Sequence, residues 1–206
     1  RPDSNFSLTA GRAITGRVRN AAGEGIYARI DLFGTDGRRL HSVWTNWDGD
    51  YTAGGLPAGT YRVGALPMSG DYAAELHSNV PCAYLSCSTT AGTAVVVTAS
   101  NAPVVDFVLE AGGAIAGSVR DTSGQGINGA TVLVYRGDGS LVVRSSADPS
   151  GNYAVRSLTA ARHSVRFERG REYAFQRFDD VSVRAGETTA LNAVLERGAS
   201  LGGTIR

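Results

Sequence analysis

The sequence predicts an all-β chain made of two tandem β-sandwiches of about seven strands each. Three observations predict it. A fifteen-residue pattern is written three times, beginning at Asn5, Asp106 and Asn192, so a whole domain is repeated. Apolar residues alternate with polar ones in short runs, and no run has the spacing of a long helix. Turn signals rich in Gly and Asp separate these runs, and the chain holds 27 Gly in 206 residues. The pattern divides the chain at 11–111 and 112–197. Residues 1–10 then read as the terminal strand of a preceding repeat, and 198–206 as the first strand of a following one. Glu110–Ala114 is too short a joint for free tumbling of one repeat against the next.

Taken in order, each repeat opens on a strand with an inward glycine. Ile14, Gly16 and Val18 share one face, as do Ile115, Gly117 and Val119. A glycine there leaves room for a large neighbour or for close backbone. The turns Gly23–Gly25 and Gly124–Gly126 follow. The next strand points Ala28, Ile30 and Leu32 inward, matched by Ala130, Val132 and Val134. Asp36-Gly37 and Asp138-Gly139 are hairpin signals, because both residue types tolerate positive φ. Asp48-Gly49-Asp50-Tyr51 then matches Ser150-Gly151-Asn152-Tyr153, Leu56 matches Leu158, and Tyr61-x-Val63 matches His163-x-Val165. Val105-Phe107-Leu109 and Leu191-Ala193-Leu195 close the two repeats. The repeats differ in one place. Tyr72 lies 37 residues before Leu109, whereas Tyr173 lies 22 before Leu195. The surplus forms an insertion over 75–92, read as a surface loop, the kind of place where function resides.

Composition excludes several classes. The net charge is +1, so nothing steers the chain toward nucleic acid, and no apolar run approaches the roughly 18 residues of a membrane span, so no membrane insertion is expected. All 20 basic residues are Arg, which rules out isopeptide bonds that need a Lys amine. Cys82 and Cys87, inside the insertion, read as a local disulfide and hence an oxidising compartment. The competing reading is a metal site of His77, Cys82 and Cys87, which offers three ligands at a spacing foreign to zinc fingers.

The set of motifs resembles the carboxypeptidase regulatory-like domain family. It rests on Ile14-x-Gly16-x-Val18, Asp48–Tyr51 and Leu56-Pro57-Ala58-Gly59-Thr60-Tyr61-Arg62-Val63. The second repeat departs from the last stretch, lacking its Pro, Gly and Tyr over Leu158–Val165. The resemblance implies a prealbumin-like (Ig-like) sandwich, related in shape to the B-type repeats of collagen adhesins. It also implies an extracellular, non-catalytic role in a secreted bacterial protein, with no common ligand.

The residues themselves give catalysis little footing. His41, His77 and His163 fall in no metallopeptidase motif, no Gly-x-Ser-x-Gly elbow occurs, and Asp179-Asp180 would point to opposite faces of a strand. No cofactor is expected and the chain reads as no enzyme. Asn46, Asp48 and Asp50 place alternate oxygen ligands of the kind calcium takes, although an Asp-Gly turn explains them equally. Arg169, Arg171, Arg177 and Arg184 are interleaved with acids, as on a solvated face. Trp44 and Trp47, with Tyr51 close by, form the best specific candidate for ligand binding, since an exposed Trp wants a partner. The competing reading packs Trp44 on its sheet and Trp47 over the hairpin. The expected role is therefore a spacer or stalk of a secreted or cell-surface bacterial multi-repeat protein, with adjacent repeats of the same polypeptide as its partners and the cysteine loop presented outward. The alternatives are an accessory carbohydrate-binding module, with a polysaccharide partner at Trp44, Trp47 and Tyr51, and an adhesion module facing an extracellular protein.

Overall fold

Among the described residues, strands form over the alternating runs at Ile14–Val18 and Ala28–Leu32 and over their counterparts in the second repeat. The computed structural model describes residues 11–198. The strands expected over 1–10 and 198–206 lie outside these residues, save Gly198, whose N–H donates to Glu172 O. The chain packs as two units. The first comprises 11–68, 75–80 and 88–109, and the second 69–74, 81–87 and 110–198. Two segments that a boundary at 111 would leave with the first repeat, 69–74 and 81–87, thus pack with the second.

In the first unit, β1 (Arg12–Arg19), β2 (Ala28–Phe33), β3 (Arg39–Trp44), β4 (Asp50–Leu56) and β5 (Gly59–Pro67) are followed by β6 (Glu75–Leu76) and β7 (Val80–Pro81). The last two are β8 (Val95–Val97) and β9 (Phe107–Val108). One sheet runs β4-β1-β9 and the other β3-β2-β5-β6-β7, with β8 also on β5. Between them lie Ile14, Val18, Ile30, Leu32, Val63 and Phe107, each at most 1% exposed. Full burial of such a side chain is worth about 1.5–3 kcal/mol.

The second unit repeats the plan with β10 (Gly113–Asp121), β11 (Thr131–Arg136), β12 (Leu141–Ser146) and β13 (Asn152–Leu158). Then come β14 (Ala161–Glu168), β15 (Gln176–Val183), β16 (Thr188–Ala190) and β17 (Ala193–Leu195). Its sheets are β13-β10-β16, with β17 also on β10, and β12-β11-β14-β15. The described residues carry nine and eight strands where about seven apiece are expected. The surplus is short. β6 and β7 are two-residue strands, and β16 and β17 are successive stretches of one run along β10.

The registers of the two units coincide. Gly16 faces Tyr51 across β1 and β4, and Gly117 faces Tyr153 across β10 and β13. The first and last strands run parallel in both, pairing Val18 with Phe107 and Val119 with Ala193. Gly49 and Gly151 hold φ of 85° and 82° in the matching turns, a conformation glycine adopts without strain.

Candidate functional site

The aromatic candidates separate in the structure. Trp44 ends β3, directly across from Arg29 on β2, on the solvent face of the sheet. Trp47 sits in the β3–β4 turn, which Asn46 closes through its N–H to Asp50 O at 2.8 Å. Both are exposed, Trp44 to 48% and Trp47 to 82%. Tyr51 does not join them. It is buried at 4% exposure and donates its hydroxyl to Val105 O at 2.7 Å. The alternation of β4 places Tyr51 on the inner face with Ala53, and that parity is the physical reason for the correction. The aromatic partner is Tyr27 instead. Its ring stacks on Trp44 at 5.6 Å and on Trp47 at 4.8 Å, with interplanar angles of 13° and 25°. The signal for it was present: Ala28 and Ile30 point inward, so Tyr27 shares the outer face with Arg29.

Such stacked pairs are each worth about 0.5–1.5 kcal/mol beyond the area they bury. Stacking covers one face of Trp47 and leaves the rest of the indole in solvent. The same sheet face carries a buried carboxylate. Asp31, 2% exposed, accepts from Arg29 Nε at 3.0 Å and Ser42 Oγ at 2.6 Å, with Arg39 3.6 Å away. That charge is held by its own sheet.

The calcium candidate does not assemble. Asn46 Oδ1 accepts the Asp50 N–H at 2.8 Å, an Asx turn that Asp148 repeats with Asn152 in the second unit. Arg17 already places a cation there, 2.9 Å from Asp48 O and 3.8 Å from the Asp50 carboxylate. Among the described residues no three His, Cys, Asp or Glu side chains converge on a metal position. The zinc alternative gives way to covalent chemistry: Cys82 and Cys87 are joined as a disulfide, and His77 Nδ1 lies 3.4 Å from Thr93 O.

The disulfide loop turns inward. Cys82 is fully buried and Ala83 is 2% exposed. Ala83 packs among Val142, Tyr153, Leu158 and Phe167 of the second unit, with Tyr84 against the same cluster. The Tyr84 hydroxyl donates to Arg156 O on β13. Arg136 on β11 donates to Ser86 O at 3.3 Å and to Ser86 Oγ at 2.7 Å. Burial pushes the Tyr84 phenol up from its ordinary pKa, against the opposing pull of its bond to Arg156 O. Tyr84 and Leu85 both hold positive φ, 58° and 50°, inside the ring that the disulfide closes. No residue from Cys82 to Cys87 is fully exposed. The expectation of an outward-presented loop meets a loop whose tip is core.

His163 is a strand residue, 2% exposed, with Nε2 3.1 Å from Thr159 O. Tyr61 reaches the equivalent carbonyl, Pro57 O, at 2.8 Å, so the two side chains do one structural task. Three arginines of the second unit are paired or stacked: Arg177 with Asp179 at 2.7 Å, Arg184 with Glu187 at 3.6 Å, and Arg166 over the Phe175 ring at 4.3 Å.

Comparison with known proteins places the second repeat. Residues 114–196 match the sequence profile described as the carboxypeptidase regulatory-like domain. No curated protein matches the chain. Among solved structures, it is similar to GBS52, the minor pilin of Streptococcus agalactiae, at 11% identity and a TM-score of 0.43, over 95% of this chain and 100% of that one. It is also similar to the shaft pilin SpaA of Lactobacillus rhamnosus GG, at 8% identity and a TM-score of 0.41, over 93% and 100%. The Bacillus anthracis TIE protein matches at 12% identity and a TM-score of 0.36, over 93% of this chain, which spans 35% of the TIE protein. Through residues 114–196 the chain is thus similar to the carboxypeptidase regulatory-like domain family.

Proposed function

We propose that this chain is a non-catalytic structural segment, a spacer or stalk, of a secreted or cell-surface multi-repeat protein. One observation carries the reading: side chains that could do chemistry are committed to holding two like sandwiches closed. Tyr51 and Tyr153 bind the carbonyls of Val105 and Leu191, His163 and Tyr61 bind turn carbonyls, and the cysteine loop lies in a core. The disulfide suits an oxidising, extracellular setting. A domain boundary near 111 and adjacent repeats as partners are part of the same reading.

A second reading is favoured by the Tyr27, Trp44 and Trp47 stack, which offers the outer face of Trp47 to a sugar ring. In it the chain is an accessory carbohydrate-binding module. One experiment separates the two: a polysaccharide and glycan-array screen of the wild-type chain beside a Trp44→Ala, Trp47→Ala double variant. The spacer reading expects no retention of either protein. Retention of the wild type that the double variant loses would replace it with the carbohydrate reading.

A further inference from the structure

The two units share strand registers, yet one matching position differs sharply in burial. The β2–β3 and β11–β12 hairpins each carry a bulge. Across β2 and β3 the pairing steps from Leu32↔His41 to Phe33↔Arg39 and skips Leu40. Across β11 and β12 it steps from Val134↔Val143 to Tyr135↔Leu141 and skips Val142. Leu40 and Val142 are therefore the same position. Val142 is 5% exposed and Leu40 is 59% exposed.

The disulfide loop lies against the Val142 strand: its Ala83–Leu85 turn touches β12 and β13, and Ala83 shares the core cluster of Val142. A second twin position lies on the neighbouring strand. Tyr84 bonds to Arg156 O within the β13 bulge, and Gly54 holds the matching place in the β4 bulge. A Cβ at Gly54 would meet nothing within 4 Å among the described residues. Among the described residues, the first unit thus leaves uncovered the apolar side chain and the strand bulge that the second unit covers with a loop.

We infer that the β3–β4 side of the first unit, around Leu40 and Gly54, is a receptor for the disulfide-closed loop of another repeat of this kind. The occupant is not this chain's own loop, which already lies in the second unit. The second unit is the template: a small apolar residue seats beside the bulged side chain and an aromatic hydroxyl donates to the bulge carbonyl. Gly34 stands where Arg136 stands in the second unit, so the two guanidinium bonds to the loop's serine have no counterpart. The contact is accordingly apolar with one hydrogen bond. This inference goes beyond the spacer reading, and its failure would leave that reading standing.

The test uses the full chain, labelled with 15N, and a synthetic oxidised peptide with the sequence of residues 81–88. The expected result is saturable amide shifts at residues 39–41 and 53–55. They should vanish in a Leu40→Glu chain that keeps the rest of its spectrum, and weaken severalfold with the peptide in which both cysteines are serine. A short tether supplies an effective concentration in the millimolar range, so a loop that a neighbouring repeat could hold must bind by about 5 mM. Absence of saturable shifts at that concentration overturns the inference. So do shifts that survive Leu40→Glu, or shifts confined to residues 141–143 and 156.

Discussion

A glycine, a tyrosine and a carbonyl explain the most regular motif in the sequence. A Cβ on Gly16 would lie 1.9 Å from Val105 O, and one on Gly117 would lie 2.0 Å from Leu191 O. Those two carbonyls are the ones that Tyr51 and Tyr153 bind at 2.7 and 2.8 Å. Glycine lets the last run of each repeat come close, and tyrosine fastens it. Gly16→Ala or Gly117→Ala should destabilise its unit by several kcal/mol, the scale of severe core overpacking, read as a lower urea midpoint. Tyr51→Phe should cost about 1–3 kcal/mol, because Val105 O is left buried without its donor. The same phenols predict an alkaline limit. Burial, first, and the nearby Asp106 charge raise the Tyr51 pKa above its ordinary 10.0, and burial raises that of Tyr153. The unfolded phenols ionise first, so stability is full below pH 10 and falls as pH climbs toward the raised values. Thermal melts at pH 9 and 11 check this, and Tyr51→Phe should blunt the loss. At the acid end, hydrogen bonds from Ser123 and Ser140 hold Asp121 and Asp138 below the ordinary 3.8. Their contribution is present above that value and is lost as pH falls through the lowered ones. The inward glycine was legible from alternation alone. Its carbonyl partner was not, because Val105 lies 89 residues further along the chain.

At the scale of elements, the informative piece is the disulfide loop. The chain-entropy model gives a ring this small about 2 kcal/mol. Reduction should do more than remove that constraint. It frees Tyr84 and Leu85 from positive φ and loosens Ala83 from over Val142. We expect dithiothreitol to lower the melting temperature of the wild-type chain, and a Cys82→Ser, Cys87→Ser variant to melt at the reduced value without the reagent. Limited proteolysis with chymotrypsin should cut after Tyr84 or Leu85 only in the reduced protein. The sequence made the pairing legible from spacing, and the insertion from the length difference between repeats. It could not tell that the loop packs inward. That depends on a gap between β12 and β13 which exists only once distant strands have paired. The aromatic site divides in the same way. The turn made Trp47 readable as exposed, whereas the sequence left Trp44 open between exposure and packing on its sheet. Tyr51 is near both tryptophans in sequence, but strand parity turns it inward, and Tyr27, on the outer parity with Arg29, completes the stack.

At the scale of the whole molecule, the described residues pack as two units with matching strand registers. Both tryptophans belong to the first unit, so tryptophan fluorescence reports on that unit alone. Gly16→Ala should shift its unfolding transition strongly and Gly117→Ala much less, whereas circular dichroism should register both. The parallel pairing of first and last strands has a further consequence, under tension. In the first unit the chain enters along β1 and leaves along β9, side by side and in the same direction. Thr15 N–H to Pro103 O, Val105 N–H to Thr15 O and Leu109 N–H to Arg19 O, at 3.1, 2.8 and 2.8 Å, bridge the two runs. A pull that draws the entering and leaving ends apart slides one run along the other. The bridging bonds then bear the load together instead of opening one by one. A force-spectroscopy trace should therefore give discrete high-force rupture peaks, and Tyr51→Phe, which detaches one fastener from the same run, should lower the peak of the first unit. Mechanical toughness of this kind is the property a stalk exposed to drag requires.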